Sequence, residues 1–183
     1  VLAALLLGKY GLSPADLWSL VDGSGGKRVE LTFDRRIRRA TAAVFFGACL
    51  GVSGMLFQSL TRNPLGSPDV IGLNSGAYTG VVAALTFGAT GYAALTAGAI
   101  VGSIVAAALV FVLSYRGGVD GFRLIIVGIA IGAMLSALNF WFSIKADLDE
   151  AMRAAIWGAG SLTSVTWAPL LAAMVIALVA ATL

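Results

Sequence analysis

At 183 residues, with 59% apolar and only 11% charged side chains, the chain carries more apolar surface than a water-soluble domain of this size can hide. The net charge is +3, histidine is absent and Cys49 is the only cysteine, which excludes a disulfide framework and a Cys/His metal site. Charges avoid residues 40–61, 70–115, 124–144 and 154–183. A helix crossing a bilayer needs about 20 mostly apolar residues, so each run holds a span and the second holds two.

The opening VLAALLLG, residues 1–8, is expected to be the tail of a first span, and further full-length spans downstream argue against a cleaved signal peptide. Ser13-Pro14-Ala15-Asp16 reads as a helix start, with Ser as N-cap, Pro at the first helical position and Asp in the first turn, and the helix should run to about Val21. Asp22 to Gly26 breaks it. Lys27 to Asp34 shows rough alternation and is expected to be a loop.

Spans are then expected over about 36–60, 70–87, 92–114, 122–144 and 167–183. Arg62-Asn-Pro-Leu-Gly-Ser-Pro68 closes the first of these with two prolines and a glycine. Gly88 to Gly91 makes a turn, Arg116 to Gly121 is the next exit, and 147–157 suits a short amphipathic helix. The fold class predicted is an all-α polytopic membrane protein, one transmembrane domain over 1–183, cut at both ends.

Small residues recur four apart at Gly47 and Gly51, at Gly72, Gly76 and Gly80, at Gly98 and Gly102, and at Gly128 and Gly132. Such spacing lets helix backbones approach closely in lipid, which makes these glycines packing faces. Transporters driven by protons or sodium carry Asp, Glu, His or Lys within their spans, and these spans have none. Among the uncharged polar residues within them, Gln58, Asn74, Ser75, Ser136 and Asn139 stand out. Hydrogen bonding between helices accounts for all five. Ser136 and Asn139, three apart and so on one helix face, also suit the lining of a substrate path.

Arg36-Ile-Arg-Arg39, Gly47-Ala48, Ser53-Gly54, Gln58, Arg62 to Pro68, Ile71-Gly72 and Gly76-Ala77 together resemble the FecCD-type siderophore and vitamin B12 permease family of ABC importers. Arg123-Leu-Ile-Ile-Val-Gly128 and Trp157-Gly-Ala-Gly-Ser-Leu162 extend the likeness over nearly the whole chain, and TRNPLGSPDVIG is closest in wording to permeases for ferric enterobactin and similar catecholate siderophores. The resemblance implies about six helices of a ten-helix permease in a bacterial inner membrane. It implies a second permease subunit, identical or paralogous, two cytoplasmic ATPases and an extracytoplasmic siderophore-binding protein, with membrane lipid around them and no nucleic acid. No cofactor or resident metal is expected, and iron would arrive already chelated as cargo. ATP hydrolysis would lie on a separate partner, so this subunit would not be an enzyme.

The basic residues crowd one set of loops, at 9–39 and 145–153, whereas the other set holds Arg62, Arg116 and Arg123. The positive-inside rule puts the crowded face in the cytoplasm. The resemblance puts it outside, where Arg36 and Arg39 would receive glutamates of the binding protein, and that reading is preferred. Guanidinium suits the task through bidentate, charge-assisted bonds to carboxylates, and an interfacial anchor is the alternative role. Arg38 replaces a proline common in the family at this point, leaving four arginines close together. The resemblance also implies a cytoplasmic gate at Gly121 and Phe122, with glycine permitting a hinge and Phe plugging a narrow path. The loop from Asn63 to Pro68 reads either as a rigid turn or as a further coupling element. Rival functions are the same architecture carrying vitamin B12 or haem, and an ATP-independent secondary transporter or channel.

Overall fold

A computed structural model describes residues 12–118, 120–163 and 165–182. The span expected over 1–8 lies outside them. Among the described residues the chain forms α1 (Pro14–Val21), α2 (Lys27–Thr61), a 3-10 turn (Pro68–Ile71), α3 (Leu73–Thr86), α4 (Tyr92–Ser114), α5 (Gly121–Lys145), α6 (Leu148–Ala159) and α7 (Trp167–Ala181). By length and composition α2, α4 and α5 are able to cross a membrane, and α7 is a shorter apolar helix. Two compact units result, one built from residues through Gly51 and from Ser161 onward, the other from Val52–Gly160, and α2 contributes to both.

In the first unit, α1 forms where its cap residues predict. The Ser13 hydroxyl accepts from the Asp16 amide at 3.2 Å while the Ser13 amide donates to the Asp16 carboxylate at 2.7 Å, a reciprocal capping box. Those backbone and side-chain bonds from Ser13 hold the Asp16 carboxyl below its ordinary range. The loop expected over Lys27 to Asp34 is instead the start of α2, which is continuous for 35 residues. The alternation of Val29, Leu31 and Phe33 suggested extended chain. The same residues also fit a helical stripe, Val29, Phe33, Ile37 and Ala40, and in the structure this stripe is half-buried to buried while Leu31 is exposed. An Asp34–Arg38 ion pair at 2.7 Å, spaced four apart, supports the helical choice.

α2 ends in a Schellman motif. The Asn63 amide donates to the Gln58 carbonyl at 3.1 Å and the Arg62 amide to that of Ser59 at 3.3 Å, with Arg62 at φ +50°. Glycine usually occupies this left-handed position, because a Cβ there costs about 1 kcal/mol. Arg62→Gly is therefore expected to raise unfolding stability by about 1 kcal/mol, read as a higher melting temperature in detergent. A lower one would show that the guanidinium stabilises the fold. The loop beyond is stiff: Asn63 Oδ1 accepts from the Leu65 amide at 3.0 Å, and buried Gly66 donates to the Asn63 carbonyl at 3.0 Å.

The helix expected over 70–87 is divided. Pro68 starts the 3-10 turn, Gly72 ends it at φ +75°, and α3 follows for 14 residues. Gly72 lies where a Cβ would come 2.8 Å from Gly132 Cα on α5, and a Cβ on Gly128 would come 2.6 Å from Ile71 Cα. Against α4 the approach is equally close: a Cβ on Gly98 would meet the Gly80 carbonyl oxygen at 2.7 Å, and Gly76 packs against Gly102. The order of these contacts makes α3 and α5 parallel and α4 antiparallel to both. α6 turns back along α3, with Ala154 in the cluster of Val81, Val82, Leu85 and Ala99, and Gly158 against the Tyr78 ring. A second cluster joins Phe57, Val110 and Leu124. The outer faces of these helices leave Ile100, Ile104, Leu109, Ile126 and Ile129 exposed. Water would not tolerate so continuous an apolar face, whereas lipid does.

Candidate functional site

The second unit brings Ser136 and Asn139 of α5 against Ser75 and Thr79 of α3. Parallel packing through Gly72 and Gly132 lays a Ser/Thr pair spaced four apart against a Ser/Asn pair spaced three apart, so the four side chains meet. The Ser75 and Ser136 hydroxyl oxygens lie 3.1 Å apart. Asn139 Nδ2 donates to the Ser75 carbonyl at 3.1 Å. The Thr79 hydroxyl lies 2.7 Å from that carbonyl and 2.8 Å from Asn139 Oδ1, and its single proton is shared between them. Asn139 is 7% exposed and both ends of its amide are engaged, while Ser136 is exposed. The amide joins two helices, and the Ser136 hydroxyl is the member of the group open to the surroundings.

Asn139→Leu is expected to lower stability by about 1 kcal/mol, since interhelical hydrogen bonds in membranes are individually modest and Thr79 retains the Ser75 carbonyl as acceptor. Ser136→Ala should leave the melting temperature nearly unchanged. Thermal unfolding of both variants checks this, and a larger loss at Ser136 would reverse the assignment.

Arg36 and Arg39 lie on α2 in the first unit. Arg39 Nη2 donates to the Thr163 carbonyl at 3.2 Å and remains exposed with four further N–H donors, and Arg36 is half-buried. Arg38 is otherwise employed: its Nη2 pairs with Asp34 Oδ2, its Nε donates to the Asp34 carbonyl at 3.2 Å, and Asp34 Oδ1 accepts from Trp167 Nε1 at 2.9 Å. Asp34 thus joins α2 to α7 and takes Arg38 out of the exposed set. Arg35 is exposed.

Gly121 is the first residue of α5, capped by Asp120, whose carboxylate accepts from the Arg123 amide at 3.0 Å. It lies outside the left-handed region. A Cβ there would fall 2.7 Å from Thr61 Cα, so close approach to the end of α2 is enough to require glycine. Phe122 is 75% exposed. Arg123 Nη1 donates to the carbonyl of buried Ser114 at 3.3 Å, satisfying the end of α4. No His/Cys/Asp/Glu group able to hold a metal occurs among the described residues.

Sequence reasoning named Ser75 but passed over Thr79, although the Ser75/Thr79 spacing of four was a signal that one face of α3 is polar. It also passed over Asp34 and Trp167, whose pairing joins residues 133 apart and leaves no local trace. Asn74 proved to be a loop fastener, its Nδ2 donating to Asp69 Oδ1 at 2.8 Å. Gln58 is exposed.

The chain is 51% identical over 133 residues to the ferric enterobactin transport system permease protein FepG of Escherichia coli (strain K12), which covers 73% of this chain and 40% of that protein. It is 33% identical over 176 residues to the iron-uptake system permease protein FeuC of Bacillus subtilis (strain 168), covering 90% of this chain and 52% of that one. The chain thus spans about half the length of the curated relatives it matches. Among solved structures, a metal-chelate type ABC transporter in an inward-facing conformation aligns with a TM-score of 0.75 at 27% identity, covering 94% of this chain and 51% of that one. The model of the FecCD transport family matches residues 1–183, and with these identities it leads to one assignment: the chain belongs to the FecCD transport family.

Proposed function

We propose that this chain is part of the permease subunit of an ATP-driven importer that carries ferric siderophores, of the catecholate type, across a bacterial inner membrane. The 51% identity to a ferric enterobactin permease over 73% of the chain is the observation that carries this reading. The permease would work with a second permease subunit, two cytoplasmic ATPases and a siderophore-binding protein outside. It would perform no covalent chemistry, and the two membrane halves would rock between outward- and inward-open states as the ATPases bind and hydrolyse ATP. The uncharged spans support a transporter not coupled to an ion gradient. Arg36 and Arg39 would dock the binding protein, Ser136 would line the path with Asn139 behind it, and Gly121 with Phe122 would gate the cytoplasmic end.

The test is uptake by cells lacking their own ferric-siderophore permease and supplied with the full-length protein and its partners. Radiolabelled ferric enterobactin should accumulate, ferric hydroxamates, haem and vitamin B12 should not, and ATP depletion should abolish uptake where a protonophore alone does not. Uptake that follows the proton gradient would point to a secondary transporter, and accumulation of haem or vitamin B12 instead would reassign the cargo.

A further inference from the structure

The first unit holds an acid that the docking reading leaves unused. Asp34 stands beside four arginines, and both of its carboxylate oxygens are engaged, Oδ2 with Arg38 Nη2 at 2.7 Å and Oδ1 with Trp167 Nε1 at 2.9 Å. Arg38 Nε also donates to the Asp34 carbonyl at 3.2 Å, which folds the Arg38 side chain back along the helix and leaves Oδ1 to the indole. That indole belongs to the first residue of α7. Four residues earlier the Thr163 carbonyl accepts from Arg39, and the Thr163 amide is itself held by the Ser161 hydroxyl at 3.1 Å. Thr163 and Trp167 thus bond α2 at two places.

Helical geometry makes the two ties complementary. At about 100° per residue, Asp34 and Arg39 lie about 140° apart around α2, so one tie alone leaves the helix free to turn about its axis and the two together oppose that turn. Arg36 and Arg39 lie about 60° apart, separated from Asp34 by the stripe of Val29, Phe33, Ile37 and Ala40. Side chains reach about 6 Å from a helix axis, so a turn of about 20° carries a guanidinium about 2 Å, more than a charge-assisted hydrogen bond allows. Arg39 cannot secure the rotation by itself, because a docked carboxylate would compete with Thr163 for its donors. Asp34 lies outside the docking pair and meets no such competition.

We propose that Asp34 is a positioning residue for the binding-protein dock. Oriented by Arg38 and fastened to Trp167, its carboxylate fixes the rotation of α2 and with it the direction in which Arg36 and Arg39 present their guanidiniums. The proposal rests on the docking role of Arg36 and Arg39, and not on the identity of the cargo.

The test uses the full-length permease with its partner subunit and ATPases in nanodiscs. It reads the concentration of binding protein that half-maximally stimulates ATP hydrolysis, together with the maximal rate. Asp34→Ala should raise the half-saturating concentration about tenfold and Trp167→Phe about threefold, with maximal rates within about twofold of wild type. Asp34→Asn, which keeps an oxygen for Trp167, should recover most of the loss. Charge alone gives the opposite sign, since deleting an acid from a basic face favours an acidic partner. Asp34→Ala and Asp34→Asn would then lower the half-saturating concentration equally, and that result overturns the proposal. A lower maximal rate at an unchanged half-saturating concentration overturns it too, because Asp34 would then only stabilise the fold. Arg36→Glu with Arg39→Glu separates the two claims. If that pair raises the half-saturating concentration and Asp34→Ala does not, the dock stands and the positioning role falls; if neither changes it, the dock falls and the positioning role with it.

Discussion

Alanine in place of Gly80 is expected to destabilise the protein by about 3 kcal/mol, the upper end of the range for overpacking, because its Cβ would land on the Gly98 carbonyl oxygen. The obstacle is backbone, so no rotamer change relieves it, and α3 and α4 would have to separate along the whole contact from Gly76–Gly102 to Gly80–Gly98. Lipid tails are as apolar as the side chains, so helices in a membrane gain little from hydrophobic exclusion and depend on such close contact. Gly51 provides the comparison. It belongs to a small-residue pair of the same spacing, but a Cβ there meets nothing within 4 Å. Gly51→Ala is expected to be neutral or to stabilise by up to about 1 kcal/mol through helix propensity. Thermal unfolding of both variants in detergent measures the difference, and equal melting temperatures would remove the glycine contact from the account of the fold.

Charge reversal at Arg36 and Arg39 is the second large effect expected. If both receive carboxylates of a binding protein, Arg36→Glu with Arg39→Glu should lower uptake of ferric siderophore by at least about tenfold at limiting binding protein and matched expression, since hydrogen bonds to charged groups contribute about 1.5–3 kcal/mol each. Reversing the matching carboxylates on the partner should restore uptake. Arg39 also donates to the Thr163 carbonyl, so Arg39→Gln serves as a control that removes the charge and keeps an amide donor in reach. Unchanged uptake in the double variant would end the docking role and return this basic face to the cytoplasm, where the count of Lys and Arg alone would put it.

Arg38 shows how far a charge pattern is legible before folding. Four arginines stand close together between positions 35 and 39, of which the resemblance singled out Arg36 and Arg39, and the structure distinguishes three of them: Arg38 is spent on Asp34, Arg39 is bonded once and exposed, and Arg35 is exposed. The separation comes from helical geometry, because Asp34 reaches the residue four ahead and not its neighbours. The same geometry made α2 of a segment whose local alternation suggested a loop. Period two and period 3.6 both fit Val29, Leu31 and Phe33, and only burial along Val29, Phe33, Ile37 and Ala40 chooses between them.

Composition and the placement of charge determined by themselves that this is a helical membrane protein, because backbone amides in lipid must bond within their own segment and uncharged runs of sufficient length leave only the helix for that. The motifs from Arg36 to Ala77 and from Arg123 to Leu162 were enough to indicate the family. Tertiary structure alone decided which glycines touch, that α3 is a short helix set off from the 3-10 turn by a left-handed Gly72, and that Asn139 is turned into a helix contact with Thr79 and Ser75. The reason is common to all three: a glycine, a break or an amide has the same local appearance whether or not another helix passes beside it, and only the packing of distant segments supplies the neighbour that gives it a role.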